Sequence, residues 1–212
     1  MALAFADIAF TDHVRAQQAQ MGSEKTYARF LSDDRQGGDS LGPQEAAFLQ
    51  ARDGVYLATV SDTGWPYVQF RGGDGGTPGF IHVLDDKTIA WAEYRGNRQY
   101  ISTGNLTGTD RVSIIAMDYP NQARLKLWGR ARIVTSDEDP ALLARLSPEA
   151  SKIVVERALV IDIEAFDWNC PRHIPQRYTL KELEPVLDQL RAENERLNAE
   201  NQALQDRLDT NK

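Results

Sequence analysis

Residues 55–71 read VYLATV-SDTGWP-YVQFR, two runs rich in β-branched and aromatic residues around a turn that holds Gly64 and Pro66. Apolar runs bounded by turn residues predict antiparallel strands joined in a hairpin. The pattern returns in FIHVL (80–84), TIAWAE (88–93), VSIIAM (112–117), ARLKLWGRARIV (123–134) and RALVIDIEAF (157–166). About six strands with few helices between them predict a mainly β fold closed into a barrel, because an open sheet would leave its edges exposed.

Short helices are expected at three places around these strands. Pro43 stands where a first helical position would be, and Phe48 and Leu49 after it can cover a core. The segment DEDPALLARL (137–146) has acidic residues and a proline at its start, and RGNRQYISTGNL (95–106) predicts a short helix or an irregular crossover. Within the long strand 123–134, Gly129 predicts a bend or bulge.

The chain divides into three predicted parts. Residues 1–44 form a helical and irregular arm that contains the polar stretch SDDRQGGDSLG (32–42), whose glycines and aspartates disfavour a regular element. Residues 45–178 form the barrel domain. Residues 179–212 form a C-terminal helix.

Leucines repeat at heptad spacing along the C-terminal helix. Leu183, Leu190, Leu197 and Leu204 occupy d positions, which puts Leu180, Leu187, Asn194, Asn201 and Leu208 at a positions. Asparagine at a favours a parallel dimer in fixed register, so a two-stranded parallel coiled coil is predicted. The alternative is a single amphipathic helix lying on its own barrel. A DNA-binding zipper is excluded, because PRHIPQRYTLKELEPV (171–186) is not a basic region.

Composition excludes several functional classes. The 24 Lys and Arg residues against 31 Asp and Glu give a net charge of −7, which disfavours nucleic acid. One cysteine, Cys170, and three histidines leave too few ligands for a structural metal. The start MALAFADIAF (1–10) has no basic region and is too short to span a membrane, so a cytoplasmic location is expected.

Two segments carry candidate anion-binding residues. Gln69 and Arg71 share one face of their strand, which runs into the glycine-rich GGDGG (72–76), and the arginine fork matches phosphate oxygens. In AEYRGNRQYISTGNL (92–106), Arg98 and Gln99 stand where a helix would begin, so free backbone N–H groups and a cation would coincide. Taken alone, each segment is more typical of solvated surface arginines.

Four strings occur in a characteristic order: GWPYVQFRGG (64–73), WAEYRGNRQYISTGNL (91–106), MDYPNQARLKLWGRARIV (117–134) and DWNCPRHIPQRY (167–178). In this combination the chain resembles the pyridoxamine 5'-phosphate oxidase-like family. The resemblance implies a six-stranded antiparallel split β-barrel of Greek-key type that forms a two-fold homodimer. It also implies one FMN in each of two clefts between the subunits.

The resemblance also implies which residues contact the flavin. Gln69 and Arg71 fall on the family's flavin-lining strand, and Gly72 directly after them is also expected to contact the cofactor. Ala92 and Glu93 border the isoalloxazine or the ribityl chain. Arg98 matches the family's phosphate-binding arginine, whereas Gln99 replaces its lysine, so Arg71 is expected to supply the missing charge.

Further flavin contacts are implied nearer the C-terminus. Arg124 stands where the family often has a flavin-contacting glutamine, with Lys126 as an alternative on the same face. Trp168 and Arg177 would reach the flavin of the second subunit, where the ring excludes water and the cation stabilises the reduced flavin. Trp168 is equally compatible with a core or interface anchor.

No catalytic residue is assigned. His173 is expected to be structural, with proton transfer near the ring as the alternative. Cys170 is expected to be a packed thiol.

These features predict an FMN-dependent oxidoreductase acting on an unidentified small molecule. Asp74 stands where the family's substrate-binding lysine would be, and the chain ends in a predicted coiled coil, so the vitamin B6 reaction itself is not expected. One alternative is a non-catalytic flavin carrier or redox sensor that signals through the coiled coil. Another is a haem or deazaflavin binder on the same fold.

Overall fold

The computed structural model describes residues 4–31, 37–148 and 153–210. Within these residues one antiparallel sheet has the strand order β2-β1-β5-β6-β7-β4-β3. Its strands are β1 (Gly54–Val60), β2 (Pro66–Gly72), β3 (His82–Val83), β4 (Thr88–Tyr94), β5 (Arg111–Asp118), β6 (Ala123–Val134) and β7 (Val155–Trp168). The prediction of a mainly β, antiparallel fold with short helices is confirmed.

The sheet differs from the prediction in strand number and in closure. The two-residue β3, which lies within the predicted run 80–84, pairs with β4, so the sheet has seven strands where about six were expected. Strands β2 and β3 stand at the two ends of the sheet, so the sheet is not closed by backbone pairing, and the prediction of full closure was wrong. Side chains span the gap instead, since an Arg71 guanidinium nitrogen on β2 lies 3.0 Å from a Glu93 carboxylate oxygen on β4.

The core follows the period-two pattern that predicted the strands. Val55 and Leu57 of β1 are buried on the inner face, as are Ile114 on β5 and Trp91 on β4. Leu49, which lies in the helix after Pro43, is fully buried beneath one end of the sheet.

The described residues contain seven α-helices. They are α1 (Ala4–Ala9), α2 (Asp12–Gln20), α3 (Glu24–Ala28), α4 (Pro43–Gln50), α5 (Ile101–Gly108), α6 (Pro140–Leu146) and α7 (Leu180–Thr210). Helices α4, α5 and α6 confirm the three predicted short helices. Asp139 caps α6 by accepting a hydrogen bond from the Leu142 backbone N–H at 2.9 Å.

The N-terminal arm packs through aromatic side chains. Phe5 makes edge contacts with Phe10 and Phe30 and stacks on Trp128 of β6 at a centroid distance of 6.3 Å. Residues 1–3 of the arm and 32–36 of its predicted polar stretch lie outside the described residues.

Gly129 lies at the predicted irregularity of the long strand. The β6–β7 register shifts between Trp128 and Gly129, which confirms a bulge. A Cβ at position 129 would lie 2.5 Å from the backbone oxygen of Asp162. Only glycine lets the two strands approach this closely.

Helix α7 is 31 residues long and has no buried residue. A helix lying along its own barrel would bury its leucines, yet Leu190 is 60% exposed and Leu197 is 44% exposed. That alternative is wrong, whereas coiled-coil pairing stays a prediction, and residues 211–212 lie outside the described part. No helix in the described ranges is long and apolar enough to cross a membrane.

Asp118 at the end of β5 predicts a pH dependence of stability. Burial acts to raise its pKa, but hydrogen bonds from Asn121 and Arg52 outweigh burial and hold the pKa below its ordinary value. The stabilisation is therefore complete above the unfolded pKa of about 3.9 and is lost as the pH falls through the lower folded pKa. Asp118→Asn is expected to reduce the free energy of unfolding by about 2 kcal/mol at neutral pH, with a shrinking difference from the parent chain at pH below about 4.

Urea unfolding at several pH values measures this difference. The control is Asp110→Asn, because Asp110 is 47% exposed where it pairs with Arg130 and should contribute little. Equal effects of the two substitutions at neutral pH would contradict the assignment of the stabilisation to the Asp118 carboxylate and its contacts with Asn121 and Arg52.

Candidate functional site

A cleft occupies the gap between β2 and β4. Its volume is about 90 Å³, and five predicted site residues line it together: Gln69, Arg71, Glu93, Arg98 and Gln99. Residues far apart in the sequence meet here because the sheet curls until its two ends face each other. The candidate site therefore lies in the split of the barrel.

Two arginines converge on Glu93 inside the cleft. Glu93 is 8% exposed, and its carboxylate lies 3.0 Å from the Arg71 guanidinium and 3.9 Å from that of Arg157. Among the described residues, the Nε groups of Arg71 and Arg157 are buried with no hydrogen-bond partner. Because a buried donor without an acceptor is costly, the cleft fits an additional anion.

A second carboxylate, Glu156, organises the cations beside the cleft. It accepts hydrogen bonds from Arg157 at 2.6 Å, Arg95 at 3.1 Å and the Tyr100 hydroxyl at 3.2 Å. The contact with Arg157 contributes most to holding the Glu156 pKa below its ordinary value. Arg157 also lies 4.7 Å from the centroid of the Tyr100 ring, so its position is fixed from two sides.

The loop before α5 has an uncommon backbone. Arg98 and Tyr100 adopt positive φ of 61° and 53°, which non-glycine residues rarely do except where surrounding contacts hold them, often at ligand sites. Helix α5 therefore begins at Ile101, and the prediction that it begins at Arg98 was wrong. Ile101 and Thr103 line the cleft, which places the N-terminal end of α5, with its free N–H groups, beside the arginines.

Gln69 connects the cleft to a buried polar network. Its Nε2 donates to the Ser102 Oγ, and Ser102 in turn accepts from Thr59, which accepts from Asn105 at 2.9 Å. This chain of hydrogen bonds fixes α5 against β1. Gly72 does not line the cleft. A Cβ there would lie 2.8 Å from the Phe70 ring and 3.0 Å from the Asp53 backbone oxygen, so Gly72 packs closely against these two residues.

The remaining predicted residues lie elsewhere in the chain, at the end of the barrel near the β5–β6 turn. Trp168 donates its indole N–H to Glu45 at 2.7 Å and packs edge-on against Phe48. Arg177 lies over the Tyr119 ring at 5.1 Å, and the buried Arg124 Nε has no hydrogen-bond partner in the described residues. None of the three lines the cleft of its own chain.

Positions along β7 show how far the residues that line the cleft lie from the other predicted site residues. Arg157 and Trp168 lie eleven residues apart on β7, roughly 36 Å along an extended strand. A single chain therefore does not bring them together at one cofactor. Cys170, which was expected to be packed, is exposed because it follows the end of β7 in a loop, and His173 is also exposed.

Sequence reasoning missed Arg157, Glu156 and Tyr100. Arg157 on β7 lies opposite Glu93 on β4 in the strand register, although the two residues are more than sixty positions apart in the sequence. The one available signal was a pair of charges, Glu156 and Arg157, at the start of an otherwise apolar strand.

A second cavity of about 300 Å³ lies on the other side of Tyr94. The glycine-rich loop and the end of α6 line it, with Asp74, Phe80, His82 and Arg145. Tyr94 lines both cavities, and burial and the nearby Asp74 raise its pKa. Within the described ranges, no group of three or more His, Cys, Asp or Glu residues could hold a metal ion.

An antiparallel sheet left open along one gap, with an arginine-rich cleft in that gap, defines a split-barrel protein. Residues 41–169, more than half of the 212-residue chain, match the family described as pyridoxamine 5'-phosphate oxidase. The chain belongs to this family. No curated protein matches it.

Several solved structures are similar to the chain. A proposed pyridoxamine 5'-phosphate oxidase of Lactobacillus delbrueckii is 21% identical over 61% of this chain and 94% of its own, with a TM-score of 0.46. An FMN-binding protein of Syntrophomonas wolfei is 12% identical over 72% and 97%, with a TM-score of 0.43. The haem-storage protein of Vibrio cholerae is 17% identical over 61% and 94%, with a TM-score of 0.38.

Proposed function

We propose that the protein binds FMN, with the flavin phosphate in the cleft between β2 and β4, and acts as an oxidoreductase on a small molecule. The observation that carries the proposal is that two arginines that line the cleft, Arg71 and Arg157, each have a buried Nε group without a hydrogen-bond partner in the described residues. Guanidinium groups bind phosphate with paired, charge-assisted hydrogen bonds. Arg98 and the N-terminal end of α5 add positive potential at the same place.

The size of the cleft supports a site shared between two chains. Pockets for whole small molecules usually hold roughly 300–1,000 Å³, whereas this cleft holds about 90 Å³. It is large enough for the phosphate end of FMN, and further walls are needed for the ring. We propose that a second copy supplies them through Arg124, Trp168 and Arg177, which lie far from the cleft of their own chain.

An apolar surface supports the proposed homodimer. Phe70 and Val68 on β2 are 58% and 59% exposed, and on the same outer face Tyr56 is 40% exposed and Ile115 is 38% exposed. Cross-strand pairing of Tyr56 with both Phe70 and Ile115 makes these side chains neighbours. A contiguous apolar patch of this kind is typical of a protein–protein interface.

The proposed roles of the residues are binding and exclusion of water. When bound, FMN would supply the redox chemistry, as the acceptor of a hydride from the substrate. Arg71, Arg157 and Arg98 would hold the phosphate, while Glu93 keeps Arg71 and Arg157 in place. In the second copy, the Trp168 ring would shield the reacting atoms from water, and Arg177 would place positive charge beside them. We assign no side chain as an acid or base.

Haem is a less suitable ligand for this cleft. Its lining, within the described residues, contains no histidine, cysteine or methionine, so the tyrosines Tyr67, Tyr94 and Tyr100 are the side chains there whose type also serves as an axial ligand of haem iron. A deazaflavin or a non-catalytic flavin carrier would use the same arginines, so the test must identify the ligand and follow electron transfer.

The proposal includes a cytoplasmic location, where an exposed thiol such as Cys170 stays reduced.

Purified protein is expected to carry or take up one FMN per chain. The measurement is the absorption spectrum of the protein as purified and after FMN addition, with mass determination of the extracted ligand. A colourless protein that ignores added FMN would disprove the proposal, as would a Soret band from bound haem. Photoreduced protein that no small-molecule acceptor or oxygen reoxidises would favour the carrier or sensor over the enzyme.

A further inference from the structure

We infer that α7 is a self-association surface, and that its partner is α7 of a second copy in a parallel, in-register, two-stranded coiled coil. The inference concerns α7 alone and does not depend on the cofactor. Helix α7 begins with a capping box, in which Thr179 N–H donates to Glu182 at 2.7 Å and Glu182 N–H donates to Thr179 at 3.2 Å. It then continues for 31 residues with none buried.

The seam of α7 is apolar, and its other faces are polar. Leu187, Leu190, Leu197 and Leu204 are 36%, 60%, 44% and 49% exposed although they follow the a and d positions of consecutive heptads. Pro185 occupies an f position, opposite the seam, so the hydrogen bond missing at proline does not disturb the contact face. A stripe this narrow fits one neighbouring helix rather than a broad surface.

Two asparagines identify the neighbour as a second copy. Asn194 and Asn201 fall at a positions, where a leucine partner would leave each amide buried without a hydrogen bond. In a parallel pair of identical chains in register, each asparagine faces itself and both amides are satisfied. The side-chain oxygen of Asn194 already accepts a hydrogen bond from the Asn198 side chain at 2.8 Å. The side-chain NH₂ group of Asn194 is therefore left to donate across the seam.

Charges beside the seam favour the parallel orientation. In a parallel pair, g positions face e positions of the next heptad, so Glu193 meets Asn198 and Glu200 meets Gln205 of the other chain. In an antiparallel pair, g positions face each other, and Glu193 would meet Glu200. Like charges at that distance repel, whereas the parallel arrangement does not contain this carboxylate pair.

A lipid surface is a poor alternative partner. Residues 180–210 contain four Lys or Arg and eight Asp or Glu, so α7 is acidic. Helices that lie on membranes are usually rich in basic residues, because biological membrane surfaces are negatively charged.

Cysteine cross-linking tests both the partner and the orientation. In full-length protein with Cys170→Ser, Leu204→Cys at a d position is expected to form an intermolecular disulfide at least about tenfold faster than Ala203→Cys at an outward c position. The reason is that only the parallel, in-register pair brings the two copies of residue 204 together. Equal rates for the two variants would overturn the inference.

A matched pair of charge variants tests the seam itself. In the Leu204→Cys protein, Leu190→Lys with Leu197→Lys is expected to slow cross-linking about tenfold or more, whereas Ala192→Lys with Ala199→Lys leaves the rate unchanged. Both pairs add two charges at the same spacing, so net charge alone cannot explain a difference. No difference between them would overturn the inference. FMN binding measured on the same variants keeps the outcomes separate, because loss of cofactor binding without loss of cross-linking would count only against the proposed function.

Discussion

Replacing Arg71 by glutamine is expected to weaken FMN binding about 10- to 100-fold, because a hydrogen bond to a charged group contributes about 1.5–3 kcal/mol. Arg71 brings a buried donor and a positive charge into the cleft, and glutamine keeps a hydrogen-bonding group beside Glu93. The measurement is a titration with FMN and, in parallel, with riboflavin. Riboflavin lacks the phosphate, so its affinity should change little.

The control is Arg95→Gln, the same substitution next to the cleft but outside its lining. Arg95 is 58% exposed and pairs with Glu156 at 3.1 Å, so its loss should have a small effect on FMN affinity. If Arg71→Gln weakened FMN and riboflavin equally, the phosphate assignment would be wrong even if the flavin assignment were right. Arg157→Gln should reproduce the effect of Arg71→Gln if both Nε groups face the phosphate.

Gly129→Ala is expected to destabilise the folded chain by about 1–3 kcal/mol or more. The added Cβ would lie 2.5 Å from the Asp162 backbone oxygen and 2.9 Å from the Ile161 Cγ2 atom. A backbone oxygen inside the β6–β7 ladder cannot move aside without breaking hydrogen bonds. The measurement is the free energy of unfolding from urea titration.

The matched control is Gly104→Ala in α5. A Cβ there meets no atom within 4 Å, and glycine inside a helix is less stable than alanine by about 0.5–1 kcal/mol. The same substitution should therefore stabilise the protein at position 104 and destabilise it at 129. A Gly129→Ala protein as stable as the parent chain, or more stable, would show that the bulge tolerates a side chain.

Local pattern was enough to predict most elements of the fold. Alternation of apolar residues predicted the main strands, and Gly129 predicted the bulge, because both depend on neighbouring residues. Only His82–Val83 of the predicted run 80–84 forms β3, and the open gap was not predictable, since both depend on how the sheet curls. The start of α5 was misplaced because the positive φ of Arg98 and Tyr100 has no signature in residue type.

The candidate site was predictable only in part, for a related physical reason. Gln69, Arg71, Glu93, Arg98 and Gln99 were found because each lies in a recognisable motif, and they meet in one cleft. Arg157 was missed because its place beside Glu93 depends on the β4–β7 register, which sequence alone does not reveal. The contribution of Arg124, Trp168 and Arg177 to a neighbouring chain stays a prediction.

The Arg71–Glu93 contact gives one pair of side chains two tasks. The pair holds the ends of the sheet together, and the same guanidinium is the proposed phosphate ligand. An incoming phosphate must therefore compete with an internal counter-ion that is already in place, and the measured affinity will reflect the difference between the two anions. Removing the charge of Glu93, for example by Glu93→Gln, would then weaken the contact that joins the two ends of the sheet and increase the affinity for the cofactor.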